Sequence, residues 1–198
     1  MSEVKTYPVP ADFAAQANVT AEQYDAMYKR SVEDPAGFWG EQADAYLTWF
    51  KKWDTVLDWS FGQEDLHINW FKGATLNVSY NCLDRHLEKR GDQTAILWEG
   101  DDPNEPNQAV TYKQLHEQVS KFANVLKIAG VKPGDRVGLL MHNCPQFLEV
   151  FFATARIGAV LVSLNVRLVT AELDFILDDC EVGGLIYGPE FEDTVAAL

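Results

Sequence analysis

G-D-R-V-G-L-L-M-H-N-C-P-Q-F-L-E-V-F-F-A-T-A-R-I-G-A-V-L-V-S-L, residues 134–164, reads as strand, helix, strand. Arg136 to Met141 is a short apolar run after a Pro-Gly turn. Pro145 opens a helix that runs to Arg156, and Ala159 to Leu164 is again apolar. The alternation continues with a helix over Ala171–Asp179, a strand over Gly184–Tyr187 and a helix over Pro189–Ala197. Strands alternating with helices of about 10–15 residues imply crossover units and a parallel sheet, so the class is α/β, with the start of a doubly wound domain in this half.

Upstream lies the clearest helix. Thr111 and Gln114 form a capping box, Leu115, Val119, Phe122, Val125 and Leu126 share one face, and Gly130 ends it. Thr94–Trp98 reads as a strand running into an acidic loop at 99–107, and residues 81–90 as one helix with Leu83 and Leu87 inward, stopped at Gly91. His67, Asn69 and Phe71 alternate with Leu66, Ile68 and Trp70, the period of a half-buried strand. Further back, a helix capped by Thr20 and Gln23 carries Tyr24, Met27 and Tyr28. A second runs from Pro35 through Phe38, Ala45, Tyr46 and Trp49 with its aromatics on one side, and residues 1–20 read as a loose arm.

Sixteen Lys and Arg against 30 Asp and Glu leave a net charge of −14. That repels polyanions, which speaks against nucleic acid and anionic membranes as partners. All six tryptophans, Trp39, Trp49, Trp53, Trp59, Trp70 and Trp98, fall in the first half. Without accompanying basic residues they read as the packing surface of a helical layer and not as a base-stacking platform. Cys82, Cys144 and Cys180 lack metal-ligand spacing and complete no disulfide framework, so reduced, partly buried thiols are expected. No leader and no stretch of about 20 apolar residues occurs, which points to the cytoplasm.

Two sets of strings resemble a known family. N-V-S-Y-N-C-L-D-R-H-L (77–87) and T-A-I-L-W-E-G-D-D-P (94–103) resemble the bacterial acetyl-CoA synthetases. G-V-K-P-G-D-R-V (130–137) and I-G-A-V-L-V-S-L-N-V-R-L (157–168) are more similar to the fatty-acyl-CoA ligases. Both are branches of the adenylate-forming, AMP-binding superfamily. The resemblance implies residues 1–75 as an acetyl-CoA-synthetase-like N-terminal extension, a mostly helical layer, and 76–198 as the start of the adenylation domain, incomplete at Leu198. It also implies a complete enzyme that joins acetate or another short or medium-chain carboxylate to CoA through an acyl-adenylate, using ATP and magnesium.

The resemblance further implies what is missing here: the Ser/Thr/Gly-rich phosphate loop, the adenine and magnesium motif, the ribose aspartate and the C-terminal lid with its lysine. No catalytic residue and no metal ligand is therefore expected within the chain, which by itself should be inactive and bind none of these cofactors tightly. The acetyl branch also carries a glycine-containing loop and two arginines three apart for the CoA nucleotide. This chain has L-N-V-R-L and Y-G-P-E-F-E-D in those places. The alternative reading is a non-catalytic binding or assembly module, or a truncated product that docks on a partner synthetase.

Among individual residues, Arg167 is the candidate. It leaves a strand's carboxyl end, the side on which open parallel sheets bind ligands. The matching N-x-R-L loop of the resembled ligases contacts a CoA phosphate. Two structural alternatives stand beside that reading, a cation capping the next helix and a pair with Glu172. Arg156, at a helix end, suits the negative pole of the helix dipole. Asp84 and His86, two apart on a helix, diverge by about 200° and form no dyad. His67, His116 and His142 are scattered. A homo-oligomer through exposed core surface is also expected.

Overall fold

The computed structural model describes residues 5–198, and the chain divides into two compact units, Met1–Thr75 and Leu76–Leu198. In the first, a five-residue helix α1 (Ala11–Ala15) interrupts the expected loose arm, whose residues 1–4 lie outside the described residues. Helix α2 (Ala21–Glu33) starts where Thr20 Oγ1 accepts from Gln23 N at 3.3 Å and Gln23 Oε1 accepts from Thr20 N at 2.9 Å. Helix α3 (Pro35–Tyr46) has Pro35 in its first turn and is capped by Asp34 Oδ1, which accepts from Gly37 N at 3.0 Å. It stops one turn short of Trp49, whose indole Nε1 donates back to the Ala43 carbonyl at 3.0 Å. The aromatics do not share one side: Phe38 is buried while Trp39 and Tyr46 are exposed.

The rest of this unit is an antiparallel hairpin of β1 (Thr55–Gly62) and β2 (Asp65–Lys72). Sequence periodicity had indicated only β2. Trp49, Trp53 and Phe71 pack mutually in edge-on and tilted arrangements with ring centroids 5.2–5.3 Å apart, and Phe71 has φ 49°, a conformation bulky residues rarely adopt unless packing imposes it. The apolar alternation of β2 faces the opposite way from a core. Leu66, Ile68 and Trp70 pair across the hairpin with Phe61, Trp59 and Leu57, and five of these six are exposed, Trp70 least at 43% and Leu66 most at 70%. On the other face His67 sits between Asp58 (Nε2 to Oδ1, 3.3 Å) and Asp65 (Nδ1 to Oδ1, 3.0 Å), and Lys72 Nζ reaches Asp58 Oδ2 at 2.7 Å.

The second unit opens with α4 (Val78–Cys82), a 3₁₀ turn (Asp84–His86) and α5 (Leu87–Arg90). These replace the single helix expected over 81–90, because Leu83 leaves helical geometry at φ −121°, ψ −68° and drives its side chain into the core at 2% exposure. Cys82, beside it, is exposed, contrary to expectation, since α4 turns Ser79 and Asn81 inward. Strand β3 (Thr94–Trp98) pairs antiparallel with β4 (Gln108–Thr111), which emerges from the acidic loop and was not foreseen. Helix α6 (Tyr112–Ile128) then begins at the expected Thr111–Gln114 box.

Strand β5 (Arg136–Leu140), helix α7 (Pro145–Ile157), strand β6 (Val160–Ser163), helix α8 (Thr170–Asp179) and strand β7 (Gly184–Tyr187) form the crossover part, closed by a 3₁₀ turn (Pro189–Phe191) and the short α9 (Glu192–Ala196). The sheet is parallel in the order β6-β5-β7, so the chain moves outward from β5 and then crosses back over it. Right-handed crossovers in opposite directions place helices on opposite faces. Accordingly, Val119, Ala123 and Leu126 of α6 and Ala153 of α7 form one core that reaches Ile186, while Leu173 of α8 joins Leu140 and Leu164 in the other, with Leu185 and Tyr187. Gly158 ends α7 at φ 77°, the left-handed conformation that favours glycine. This is the mixed α/β architecture with a parallel sheet expected from the sequence.

Two outcomes follow for the hairpin. A hydrophobic dye should bind the chain, and Trp59→Lys with Ile68→Lys should abolish that fluorescence while shifting stability by no more than about 0.5 kcal/mol, as surface changes do; unchanged dye binding would refute it. His67 is held above its ordinary titration range by the hydrogen bond to Asp58, against some desolvation and with help from Asp65. A raised value in the folded state means this contribution is complete below the unfolded His value of about 6.5 and is lost as pH rises through the folded value. Amide exchange in β1 and β2 should therefore quicken across that window beyond the intrinsic trend, and His67→Gln should remove the excess.

Candidate functional site

Asp84 is set by the break at Leu83, which turns the D-R-H segment so that its carboxylate faces α6 and α7. Arg156, in the last turn of α7, grips it with both ends of the guanidinium, Nη1 to Oδ2 at 2.8 Å and Nη2 to Oδ1 at 2.9 Å. His116 of α6 completes the group: its Nε2 lies 3.2 Å from Asp84 Oδ1 and 3.2 Å from Arg156 Nη2. That nitrogen can accept from the guanidinium when bare or donate to the carboxylate when protonated. Burial alone pushes the Asp84 carboxyl up, but the hydrogen bonds and charge of Arg156, with His116, outweigh it and hold the carboxyl below the usual carboxylate range.

In the sequence Arg156 reads as a helix-dipole cation and His116 as isolated; the structure brings them together with Asp84. Separations of 32 and 72 residues carry no local signal by which this could have been found. Asp84 and His86 do diverge: His86 accepts from Arg85 Nε at 3.3 Å and packs on the Tyr112 ring.

The carboxyl edge of the parallel sheet is the second place where side chains gather. The reversal of chain direction puts the crevice between β5 and β7, the position at which open α/β sheets bind ligands. There the His142 ring packs on Phe191 at 5.1 Å, Gly188 N donates to the Leu140 carbonyl at 2.9 Å, and the Tyr187 hydroxyl donates to Glu192 Oε2 at 3.0 Å. Arg167 lies one strand away, beyond the carboxyl end of β6. Its backbone N–H donates to Asn165 Oδ1 at 3.0 Å, which fixes the loop, and its side chain is exposed.

Neither structural alternative for Arg167 is formed. Glu172 is engaged elsewhere, its Oε2 accepting from Val169 N at 3.0 Å, and among the described residues Arg167 makes no ion pair. A cation ahead of the α8 N-terminus also opposes the helix dipole and cannot cap it. Among the described residues no three His, Cys, Asp or Glu side chains are grouped to hold a metal ion, and no helix is long and apolar enough to cross a membrane.

Two families match consecutive parts of the chain: "Acetyl-coenzyme A synthetase N-terminus" over residues 24–82 and "AMP-binding enzyme" over 83–197. Among curated proteins, acetyl-coenzyme A synthetase of Magnetococcus marinus is 58% identical over 160 residues, those of Halorhodospira halophila 52% and Yersinia pestis 51%. Each alignment covers 81% of this chain and 24% of the relative, so the chain spans about a quarter of the length of the curated relatives it matches.

The Asp84 group yields a stability test. Replacing Asp84 by Asn leaves Arg156 without its counter-charge in a half-buried place and should cost about 3 kcal/mol at pH 7. Because the carboxyl is depressed in the folded state, the advantage of the natural residue should shrink as pH falls through that folded value. Urea midpoints of both proteins, measured at pH 7 and in acid, check this; equal midpoints at pH 7 would refute it.

Proposed function

Since the chain belongs to the AMP-binding enzyme family, we propose that it forms the N-terminal quarter of an AMP-forming acyl-CoA synthetase, with acetate as the leading substrate and the cytoplasm as its location. The observation that carries this is 50–58% identity to acetyl-CoA synthetases over 160 residues of the chain, together with the two family matches. In the complete enzyme a carboxylate oxygen attacks the α-phosphorus of ATP and expels pyrophosphate. The thiol sulfur of CoA then attacks the acyl carbonyl, losing its proton, and AMP leaves with the bonding electron pair.

The residues present fit only a peripheral part of that chemistry. Arg167 is an exposed guanidinium without an ion partner among the described residues, on a loop pinned by Asn165 at the carboxyl edge of a parallel sheet, and such a group can grip a phosphate through paired donors. We assign it to a phosphate of CoA. Among the described residues no three His, Cys, Asp or Glu side chains are grouped to hold a metal ion. In this reading the 198 residues supply a scaffold and a CoA contact, and the adenylation chemistry is carried elsewhere in the complete enzyme.

The test uses the polypeptide expressed to its stop codon. It should exchange labelled pyrophosphate into ATP only when acetate is present, while the 198-residue chain stays at the no-enzyme background. Arg167→Ala should raise KM for CoA roughly ten- to more than a hundredfold, the equivalent of one charge-assisted contact of about 1.5–3 kcal/mol, with exchange unchanged. Exchange activity in the short chain, or a loss of exchange in Arg167→Ala, would overturn these assignments.

A further inference from the structure

Ion pairs engage half of this chain's 16 Lys and Arg side chains among the described residues, as expected where acids outnumber them nearly two to one. Three of the others, Lys89, Arg90 and Lys113, line one groove of about 610 Å³ between α5 and the first turn of α6. Its size falls within the range of small-molecule sites. His116 stands on the same lining and Leu87 gives it an apolar part. The α6 N-terminus is not itself the attraction, because Tyr112 N and Lys113 N already donate to the carbonyls of Gln93 and Gly91 at 3.0 and 2.9 Å, and Gln114 N to Thr111.

The groove also carries acceptors. Glu88, Asp92 and Gln93 lie on its lining, yet neither acid forms an ion pair with the three cations. Counted over its lysines, arginine and acids, the lining keeps one net positive charge in a chain of net −14. A guanidinium fork and two ammonium groups suit a phosphoryl group. The two carboxylates and the amide suit hydroxyl donors and repel a bare polyanion. We propose that this groove binds a small phosphate ester whose body carries hydroxyl groups, at a place separate from the sheet edge occupied by Arg167.

Ribose 5-phosphate, inorganic phosphate, ribose and sulfate are the probes, titrated at matched ionic strength into both the 198-residue chain and the complete polypeptide, with amide and imidazole resonances followed by NMR. Ribose 5-phosphate should saturably shift the amides of Gly91 and Lys113 and the ring signals of His116. Arg90→Gln with Lys113→Gln should weaken it at least tenfold, with the circular dichroism spectrum unchanged. Lys121→Gln removes a cation on the same helix that is paired with Glu117 and does not line the groove; it should bind as the natural chain does. Equal shifts from sulfate, inorganic phosphate or ribose, no saturable shift in either protein, or full affinity in the double variant would overturn the proposal. None of these readouts depends on synthetase activity, so this assignment and the functional one fail separately.

Discussion

The carboxylate of Asp84 holds the second unit in register. A guanidinium from the end of α7 and an imidazole from the middle of α6 both reach it, so three segments separated by up to 72 residues meet on a single group. Bidentate geometry makes that meeting directional, which apolar packing of Val119, Ala123 and Ala153 alone is not. The end of α7 is fixed a second time by Asn77, whose amide donates to the Ala155 carbonyl at 2.8 Å. Gly158 follows at once, and the direction in which β6 sets out, and with it the loop that carries Arg167, descends from how the last turn of α7 is held.

What was legible in the sequence was local or periodic. Thr20 with Gln23 and Thr111 with Gln114 are boxes whose partners lie three residues apart, and both form as read. The strand and helix alternation after Gly130 is equally direct, because buried parallel strands are short apolar runs and their crossovers are amphipathic. What escaped was decided at a distance. Leu83 breaks a helix that propensity favours because burial of its side chain outweighs continuation of the hydrogen-bond ladder. Strand β4 is Gln-Ala-Val-Thr at the end of an acidic loop, and only its pairing with β3 makes it a strand. The Asp84 group, likewise, has no spacing that announces it.

The hairpin shows where a correct period carries a wrong inference. Alternation in β2 was real, but alternation says that one face is apolar and not that this face is covered. Here the covered face is the one with Phe71, whose ring is locked among Trp49 and Trp53, while the face with Leu66, Ile68 and Trp70 stays open alongside Trp59 and Phe61. A two-stranded sheet is marginal by itself. The Trp49, Trp53 and Phe71 cluster and the His67, Asp58 and Lys72 contacts are what this unit offers in place of a second apolar layer, and they act on the face opposite the open one.

Net charge and local charge have to be separated before a chain of −14 can be reconciled with a family that handles ATP and CoA. The acids take up cations pairwise: Arg30 with Glu41, Lys52 with Asp44, Lys72 with Asp58, Arg136 with Glu181, Arg156 with Asp84. A cation neutralised at short range adds little to the field that an approaching anion meets, so total charge overstates what the paired residues contribute. What an anion meets at contact distance is set by the cations left over. In the second unit Arg167 stands at the sheet edge without an ion partner, and Lys89, Arg90 and Lys113 gather on one groove. Pairing thus spares some cations, Arg167 and the three on the groove among them, while the global repulsion of polyanions disfavours nonspecific binding.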